Sequence, residues 1–289
     1  MRISTLLVTA LKYSLCTTFS LGLLSSFGTV YAQTPTKHGS HKNVRPSVQT
    51  EESLSPTDPK SYFIRGTEFA GRRDFDKAIA CYDTAILIDS QFTDAYYNRG
   101  VAYFGKGNFD KALENYDIAI QAYPNFSDAY FNRGAAFFGK GNIDMAIANY
   151  TIALDINPKD AEANKNCGIA YIQKGDYDRA IESFNKAIIL NPRYSEAYLN
   201  RATAYYGLGD YNRTIKECSI VIKLSPKFQK AYSARANALL RKGDFDKSIK
   251  DFDKAIELNP KDADSYAGRE KAYEARGDYN RVVAQNLMK

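Results

Sequence analysis

Small and aromatic side chains recur along residues 59–289 at the spacing of an α-helix. In one stretch the apolar residues Ala78, Tyr82 and Ala85 lie three and four positions apart. The same triplet returns at Ala112, Tyr116 and Ala119, at Ala146, Tyr150 and Ala153, and at Ala180, Phe184 and Ala187. This spacing puts the apolar groups on one face of a helix. The pattern therefore predicts a series of amphipathic helices and an all-α fold.

The whole pattern repeats every 34 residues. The period is marked by the prolines Pro124, Pro158, Pro192, Pro226 and Pro260. It is marked again by a tyrosine column at Tyr62, Tyr96, Tyr130, Tyr198, Tyr232 and Tyr266, and by an arginine column at Arg65, Arg99, Arg133, Arg201, Arg235 and Arg269. Asn164 and Cys167 are the exceptions in these two columns. A period of this length is typical of helical solenoids, in which each unit buries its apolar face against its neighbours.

Each unit reads as a helix, a turn and a second helix. The turn contains glycine followed by Asn or Asp, as at Gly107 and Asn108, because glycine accepts positive φ and the polar residue bonds to nearby backbone. Acidic residues close to the start of the second helix are predicted to cap it, and these are Asp76, Asp110, Asp144, Asp178 and Asp246. Proline then ends the second helix.

With these motifs the chain resembles the tetratricopeptide-repeat family, whose repeats carry an aromatic residue, a glycine, a second aromatic set among alanines and a final proline. The resemblance covers residues 59–289, with Tyr for Trp at the first aromatic and Arg for Leu before the glycine. It implies an all-α, right-handed superhelical solenoid. The repeats would be residues 59–92, 93–126, 127–160, 161–194, 195–228, 229–262 and a truncated 263–289.

The N-terminal region carries a different pattern. Residues 1–32 join a basic start to an apolar stretch and end in small residues at Ala32, which is typical of a cleaved secretory signal peptide. Residues 33–58 are polar and nearly free of apolar side chains, so we expect a disordered linker. These features predict an exported protein, periplasmic or secreted. The alternative is a membrane anchor formed by residues 13–31, and membrane contact is expected only in that case.

Charge and reactive side chains exclude several functions. The net charge of the whole chain is only +6, and basic residues are interleaved with acidic ones in every repeat. We therefore expect no nucleic-acid partner. Both histidines, His38 and His41, lie in the linker, and the repeats carry no phosphate-binding glycine loop. We therefore expect no enzyme, cofactor or metal site. Cys81, Cys167 and Cys218 are interpreted as buried free thiols.

The family resemblance implies that the first helix of each repeat lines a concave groove. Two places after the tyrosine column stand four asparagines in consecutive repeats: Asn98, Asn132, Asn166 and Asn200. An asparagine amide carries both a donor and an acceptor, so such a column can hold the backbone of an extended peptide. The arrangement resembles the asparagine ladders of peptide-binding repeat proteins. The alternative is an exposed remnant of repeat duplication.

Other first-helix residues would share this groove. Apolar side chains expected to open onto it are Tyr97, Phe104, Phe131, Phe138, Leu199 and Tyr206, with burial between repeats as the alternative. Lys165 and Asn166 partly match the family's clamp for a peptide carboxylate. Against such a clamp stands an acidic column at Asp94, Asp128, Glu162 and Glu196, which favours a ligand with basic residues.

The arginine column has two interpretations. The guanidinium groups could bind anions, or they could pair with carboxylates on the second helices of the same units. The candidate partners are Asp83, Asp117 and Asp253. We favour the ion pairs, with the arginine stems packed between helices.

These features predict an exported protein-protein interaction module. Its groove would bind an extended peptide or a helix of a partner protein, as an assembly factor or scaffold. The alternative function is a structural scaffold that acts through its ends and associates with itself. In that case the truncated last repeat would offer the apolar residues Val282, Val283, Leu287 and Met288 to a partner or second copy.

Overall fold

The computed structural model describes residues 57–278, which form thirteen α-helices and no strand. The chain divides into two compact units after Pro158. The first contains α1 (Pro59–Gly71), α2 (Phe75–Ile88), α3 (Thr93–Gly105), α4 (Phe109–Ala122), α5 (Ser127–Gly139) and α6 (Ile143–Ile156). The second contains α7 (Ala161–Lys174), α8 (Tyr177–Leu190), α9 (Ser195–Gly207), α10 (Tyr211–Leu224), α11 (Gln229–Arg241), α12 (Phe245–Leu258) and α13 (Ala263–Arg276).

Within each unit, every helix packs against the next one along the chain. The prediction of an all-α helical repeat solenoid is thereby confirmed. None of the helices in residues 57–278 is both long and apolar enough to cross a membrane. The predicted signal peptide, both histidines and the apolar residues from Val282 to Met288 lie outside the described residues.

The turn inside each repeat requires a left-handed backbone. Six glycines supply it, with positive φ at Gly107, Gly141, Gly175, Gly209, Gly243 and Gly277. In the first repeat the same position holds Arg73, whose φ is 62°. A side chain with a Cβ is strained in this conformation, whereas glycine is not. The first repeat therefore carries a local strain that the later repeats avoid.

Five of the six described second helices, all except α12, are capped by a side chain, and in none of them is it the residue predicted. The side chain of Asn108 accepts a hydrogen bond from the backbone N–H of Lys111 at 3.2 Å, and Asp176 accepts one from Arg179 at 3.2 Å. The predicted caps lie two positions later, already inside the first turn, as Asp110 does in α4. The cap is the residue that follows the turn glycine, because only that residue still has a non-helical backbone. The acidic residue inside the helix instead meets the positive end of the helix dipole.

Large rings from the second helices fill the core. Tyr82, Tyr116, Tyr150, Phe184 and Phe252 are fully buried. A Cβ at Gly100 would lie 2.8 Å from the Tyr116 ring, so only glycine lets α3 approach that ring so closely. The hydroxyl of Tyr116 has no hydrogen-bond partner among the described residues, and burial raises the pKa of this hydroxyl. Ring burial rather than hydrogen bonding therefore stabilises this position.

We predict that Arg73→Gly raises the free energy of unfolding by about 0.5–1 kcal/mol, because it removes the left-handed strain. The reverse change, Gly107→Arg, introduces the same strain one repeat later and should lower the stability by a similar amount. Urea unfolding followed by circular dichroism measures both. A loss of stability in Arg73→Gly would contradict the prediction.

Candidate functional site

The asparagine column of the first unit already makes internal hydrogen bonds. Asn98 is half-buried, and its Nδ2 donates to the backbone oxygen of Asp94 at 2.8 Å. Asn132 is also half-buried, and its Nδ2 donates to the Tyr97 hydroxyl at 2.7 Å. Within the described residues, the amide oxygens of both asparagines accept no hydrogen bond. In these two repeats the internal bond thus uses one of the two N–H groups of each amide and leaves its oxygen and the second N–H for other partners.

The two asparagines of the second unit differ from each other. Asn200 is half-buried. Asn166 is almost fully buried, and its Nδ2 has no hydrogen-bond partner within residues 57–278. A buried donor without a partner is unusual, because it has lost its hydration and gained nothing in return. Asn166 therefore stands apart from the rest of the column.

The aromatic residues predicted to line the groove also pack against other rings. The Tyr97 ring lies 4.7 Å from that of Phe126, the residue before α5, and the Phe131 ring lies 5.7 Å from that of Tyr150. Phe104, Phe138 and Tyr206 are half-buried, as Tyr97 and Phe131 are. Ring contacts continue with Phe104 against Phe109 at 5.4 Å and Tyr206 against Tyr211 at 5.3 Å. These five side chains therefore divide their surface between packing and solvent.

Leu199 was predicted to open onto the groove, and this prediction is wrong. Its side chain is buried, with 4% of the residue exposed. It occupies the same repeat position as Tyr97. At this position Tyr97 and Phe131 are only half-buried.

Lys165 occupies that same position in the repeat of residues 161–194 and is also buried. Its Nζ lies 2.5 Å from a carboxylate oxygen of Glu162 and 3.3 Å from one of Glu196. It also lies 5.3 Å from the centre of the Tyr194 ring. An ion-pair and cation-π contact thus replaces the aromatic pair of Tyr97 and Phe126. Because two carboxylates already hold the ammonium, a peptide carboxylate would have to displace them.

Tyr194 completes this group, although the sequence reasoning did not single it out. Its hydroxyl donates to Glu162. Burial raises the pKa of the Tyr194 hydroxyl, and the Glu162 carboxylate raises it further, so the hydroxyl remains a donor. The sequence could have indicated Tyr194, because it occupies the same repeat position as Phe92 and Phe126, whose rings are packed.

The thiols of the described region are poor nucleophiles. Cys81, Cys167 and Cys218 are free, as predicted. Burial raises the pKa of Cys167 to about 11 and that of Cys218 to about 12, so both thiols are protonated near neutral pH. Cys81 is less buried, and its pKa is raised by the same cause. Across residues 57–278, no cluster of His, Cys, Asp and Glu side chains could hold a metal ion.

The arginine column forms ion pairs, as predicted. Arg99, Arg133 and Arg269 pair with a carboxylate of the preceding repeat, whereas Arg201 and Arg235 pair with Glu217 and Asp251 of their own repeat. Arg99 pairs with Asp83 at 2.6 Å, sixteen residues earlier, and its Nε donates to Asn115 at 2.8 Å, sixteen residues later. Arg133 does the same with Asp117 at 2.6 Å and Asn149 at 2.7 Å. Asp83, Asp117 and Asp253 were expected to pair within their own unit, and for these three the expectation was wrong, because the first helix of a repeat packs between two second helices. Each guanidinium therefore ties neighbouring repeats together.

The arginines also stack on the tyrosine column. The guanidinium carbon of Arg99 lies 5.2 Å from the centre of the Tyr96 ring, and that of Arg133 lies 5.1 Å from that of Tyr130. In the second unit Arg201 lies 5.3 Å from Tyr198. With carboxylate, amide and ring contacts made, these arginines are structural residues rather than anion-binding ones.

Comparison with known sequences returns repeat families. A family profile described as "TPR repeat" matches residues 68–107 and 168–209. A second, described as "Tetratricopeptide repeat", matches residues 93–126, 127–160 and 230–262. No curated protein matches the chain.

Solved structures with the same fold are similar in shape but distant in sequence. A tetratricopeptide repeat protein from Parabacteroides merdae has a TM-score of 0.65 and 21% identity, covering 78% of this chain and 90% of its own. The APC/C hetero-tetramer Cut9-Hcn1 has a TM-score of 0.63 and 19% identity, and the match covers 75% of this chain and only 43% of the matched chain. YrrB, a TPR protein with an unusual peptide-binding site, has a TM-score of 0.54 and 22% identity, and the match covers 62% of this chain and 92% of YrrB. Identities this low show the fold alone.

We predict that Arg133→Ala lowers the free energy of unfolding by about 1–3 kcal/mol, because it leaves the buried amide oxygen of Asn149 without a donor. Lys140→Ala is the matched control, since Lys140 pairs with the exposed Asp110 and should change stability little. Urea unfolding of both variants measures the difference. Equal effects of the two substitutions would contradict the structural role of the arginine column.

Proposed function

This chain belongs to the tetratricopeptide-repeat family, and we propose that it binds an extended peptide or a helix of a partner protein along its first helices. The family's fold supports a protein-protein interaction module. The proposed binding residues are Asn98 and Asn132, with the half-exposed rings beside them, in the first unit, and Asn166 and Asn200 in the second. The proposal assigns the chain no catalytic role.

The observation that carries the proposal is the hydrogen-bonding state of the column. Asn98 and Asn132 each use the amide nitrogen internally, which fixes the orientation of the side chain and leaves the oxygen to accept. Main-chain N–H groups of an extended peptide are suitable donors for such oxygens. Because the contacts would go to peptide backbone, they would tolerate many ligand sequences.

The half-buried rings would supply the apolar part of the surface. Tyr97 and Phe131 lie beside Asn98 and Asn132, and each keeps part of its ring in solvent. Aromatic side chains contribute large apolar area to interfaces at a small loss of conformational entropy. The description of YrrB as a peptide-binding repeat protein also supports a peptide ligand.

The test is a double substitution, Asn98→Ala with Asn132→Ala. The ligand is a peptide selected on the full-length chain from a library of random sequences. Calorimetric titration should show binding weakened by about 1–3 kcal/mol, because two acceptors are lost. Asn125→Ala with Asn157→Ala is the matched control, since both side chains lie in the connections between helices. Unchanged affinity in the first pair, or equal losses in both, would overturn the proposal.

Export is a separate proposal, supported by the N-terminal pattern alone. The mature protein would begin at Gln33 after cleavage behind Ala32, and the partner would then lie outside the cytoplasm. Mass spectrometry of the protein isolated from its own host should find Gln33 at the N-terminus in the soluble envelope or secreted fraction. Intact residues 1–32 on membrane-bound protein would instead establish the anchor.

A further inference from the structure

One part of the first-helix surface combines charged, aromatic and amide side chains. Glu162, Lys165 and Asn166 lie on α7, while Tyr194 and Glu196 lie at the start of α9. Lys165 bridges the two carboxylates, and the Tyr194 hydroxyl donates to Glu162. We call these five residues the α7–α9 cluster. All of them belong to the second compact unit.

The α7–α9 cluster presents negative charge to solvent. Two carboxylates face a single ammonium, which leaves one negative charge in excess. The negative charges are also more exposed than the positive one. The Lys165 side chain is only 4% exposed, whereas those of Glu162 and Glu196 are 44% and 47% exposed. A ligand approaching this surface therefore meets carboxylates, while the balancing cation lies beneath them.

Asn166 supplies an independent sign of a ligand. It lies one helical turn after Glu162, so the two side chains share a face of α7. Its Nδ2 is buried and has no partner within the described residues. In the first unit, by contrast, the Nδ2 of Asn132 donates to the Tyr97 hydroxyl. Asn166 is thus a donor that lacks an acceptor beside an acidic surface.

We propose that the α7–α9 cluster is a subsite for a basic residue of the bound peptide, and this rests on the proposed function. Glu162 and Glu196 hold the lysine or arginine side chain, with Glu196 contributing the carboxylate oxygen that Lys165 does not contact. Asn166 donates from Nδ2 to a main-chain carbonyl next to that residue. Because Asn166 is covered, the carbonyl reaches it only when neighbouring side chains move aside.

The selectivity has a physical basis. A basic side chain adds a second cation to two carboxylates, so the subsite becomes neutral when the ligand is bound. An acidic side chain would add a third negative charge to the same surface and would be repelled. The lysine already present orients both carboxylates, so a ligand cation finds them in place.

The first experiment selects random-sequence peptides displayed on phage against the full-length protein. The wild type should enrich peptides with lysine or arginine at one position. Glu196→Gln, which keeps the shape and removes the charge, should lose that preference and bind the selected peptide about tenfold more weakly. Glu182→Gln is the matched control, since Glu182 is an exposed carboxylate on α8, and it should keep the preference. Glu162→Gln is a second variant on the other helix, and circular dichroism confirms that each variant folds.

The outcomes separate this proposal from the one on which it rests. Enrichment of peptides without a basic position, or an unchanged preference in both glutamine variants, overturns the subsite and leaves peptide binding intact. No enrichment over empty support overturns both proposals. The subsite is supported if the Glu196→Gln and Glu162→Gln variants lose the preference for a basic residue while the Glu182→Gln control keeps it.

A second experiment follows Asn166 directly. Nuclear magnetic resonance of the full-length protein resolves side-chain amides, and the Asn166 signal is assigned by its disappearance in Asn166→Ser. Adding the selected peptide should shift this signal downfield, because Nδ2 gains an acceptor. A peptide with its basic residue replaced by alanine should shift it less at the same concentration. A signal that does not move at saturation of the wild-type peptide overturns the role of Asn166.

Discussion

Burial of an aromatic ring between successive helices is the interaction on which the rest of this structure depends. Tyr116 from α4 packs with Ala112 of its own helix and with Ala136 of α5, in the next repeat. Phe184 of α8 packs in the same way with Ala204 of α9. Both rings thus pack against helices of two repeats, as expected for a solenoid whose repeats stabilise one another.

A polar network also joins the helices of successive repeats. Arg99 pairs with Asp83 of the preceding repeat and donates to Asn115 of its own repeat, and its guanidinium also contacts the Tyr96 ring. Arginine serves here because its planar group can donate in two directions at once. Where the family's usual leucine would only fill space, this arginine joins three helices. The arginine column is therefore part of the fold.

The repeat of residues 161–194 departs from this scheme at three nearby positions. Asn164 stands in the tyrosine column, Lys165 in the aromatic packing position and Cys167 in the arginine column. Cys167 is a buried, protonated thiol that cannot bridge helices as Arg133 does. Lys165 turns an apolar contact into a charged one and brings two carboxylates together. At Lys165 this repeat has thus exchanged a packing contact for a charged one, and the proposed selectivity lies there.

The sequence alone determined what depends on neighbours within a few residues. Helical spacing, turn glycines and the period predicted where the helices lie, because each signal acts within one or two turns of the chain. The caps were misplaced by two positions because Asn108 and Asp110 are both good cap residues, and only the backbone after Gly107 distinguishes them. Tertiary structure decided the rest. Asp83 and Asn115 are equally distant from Arg99 in sequence, and only the stacking of repeats shows that both are bound. Stacking likewise buried Leu199 and Lys165 and left Tyr97 half-exposed, since availability for a ligand depends on what the next repeat covers.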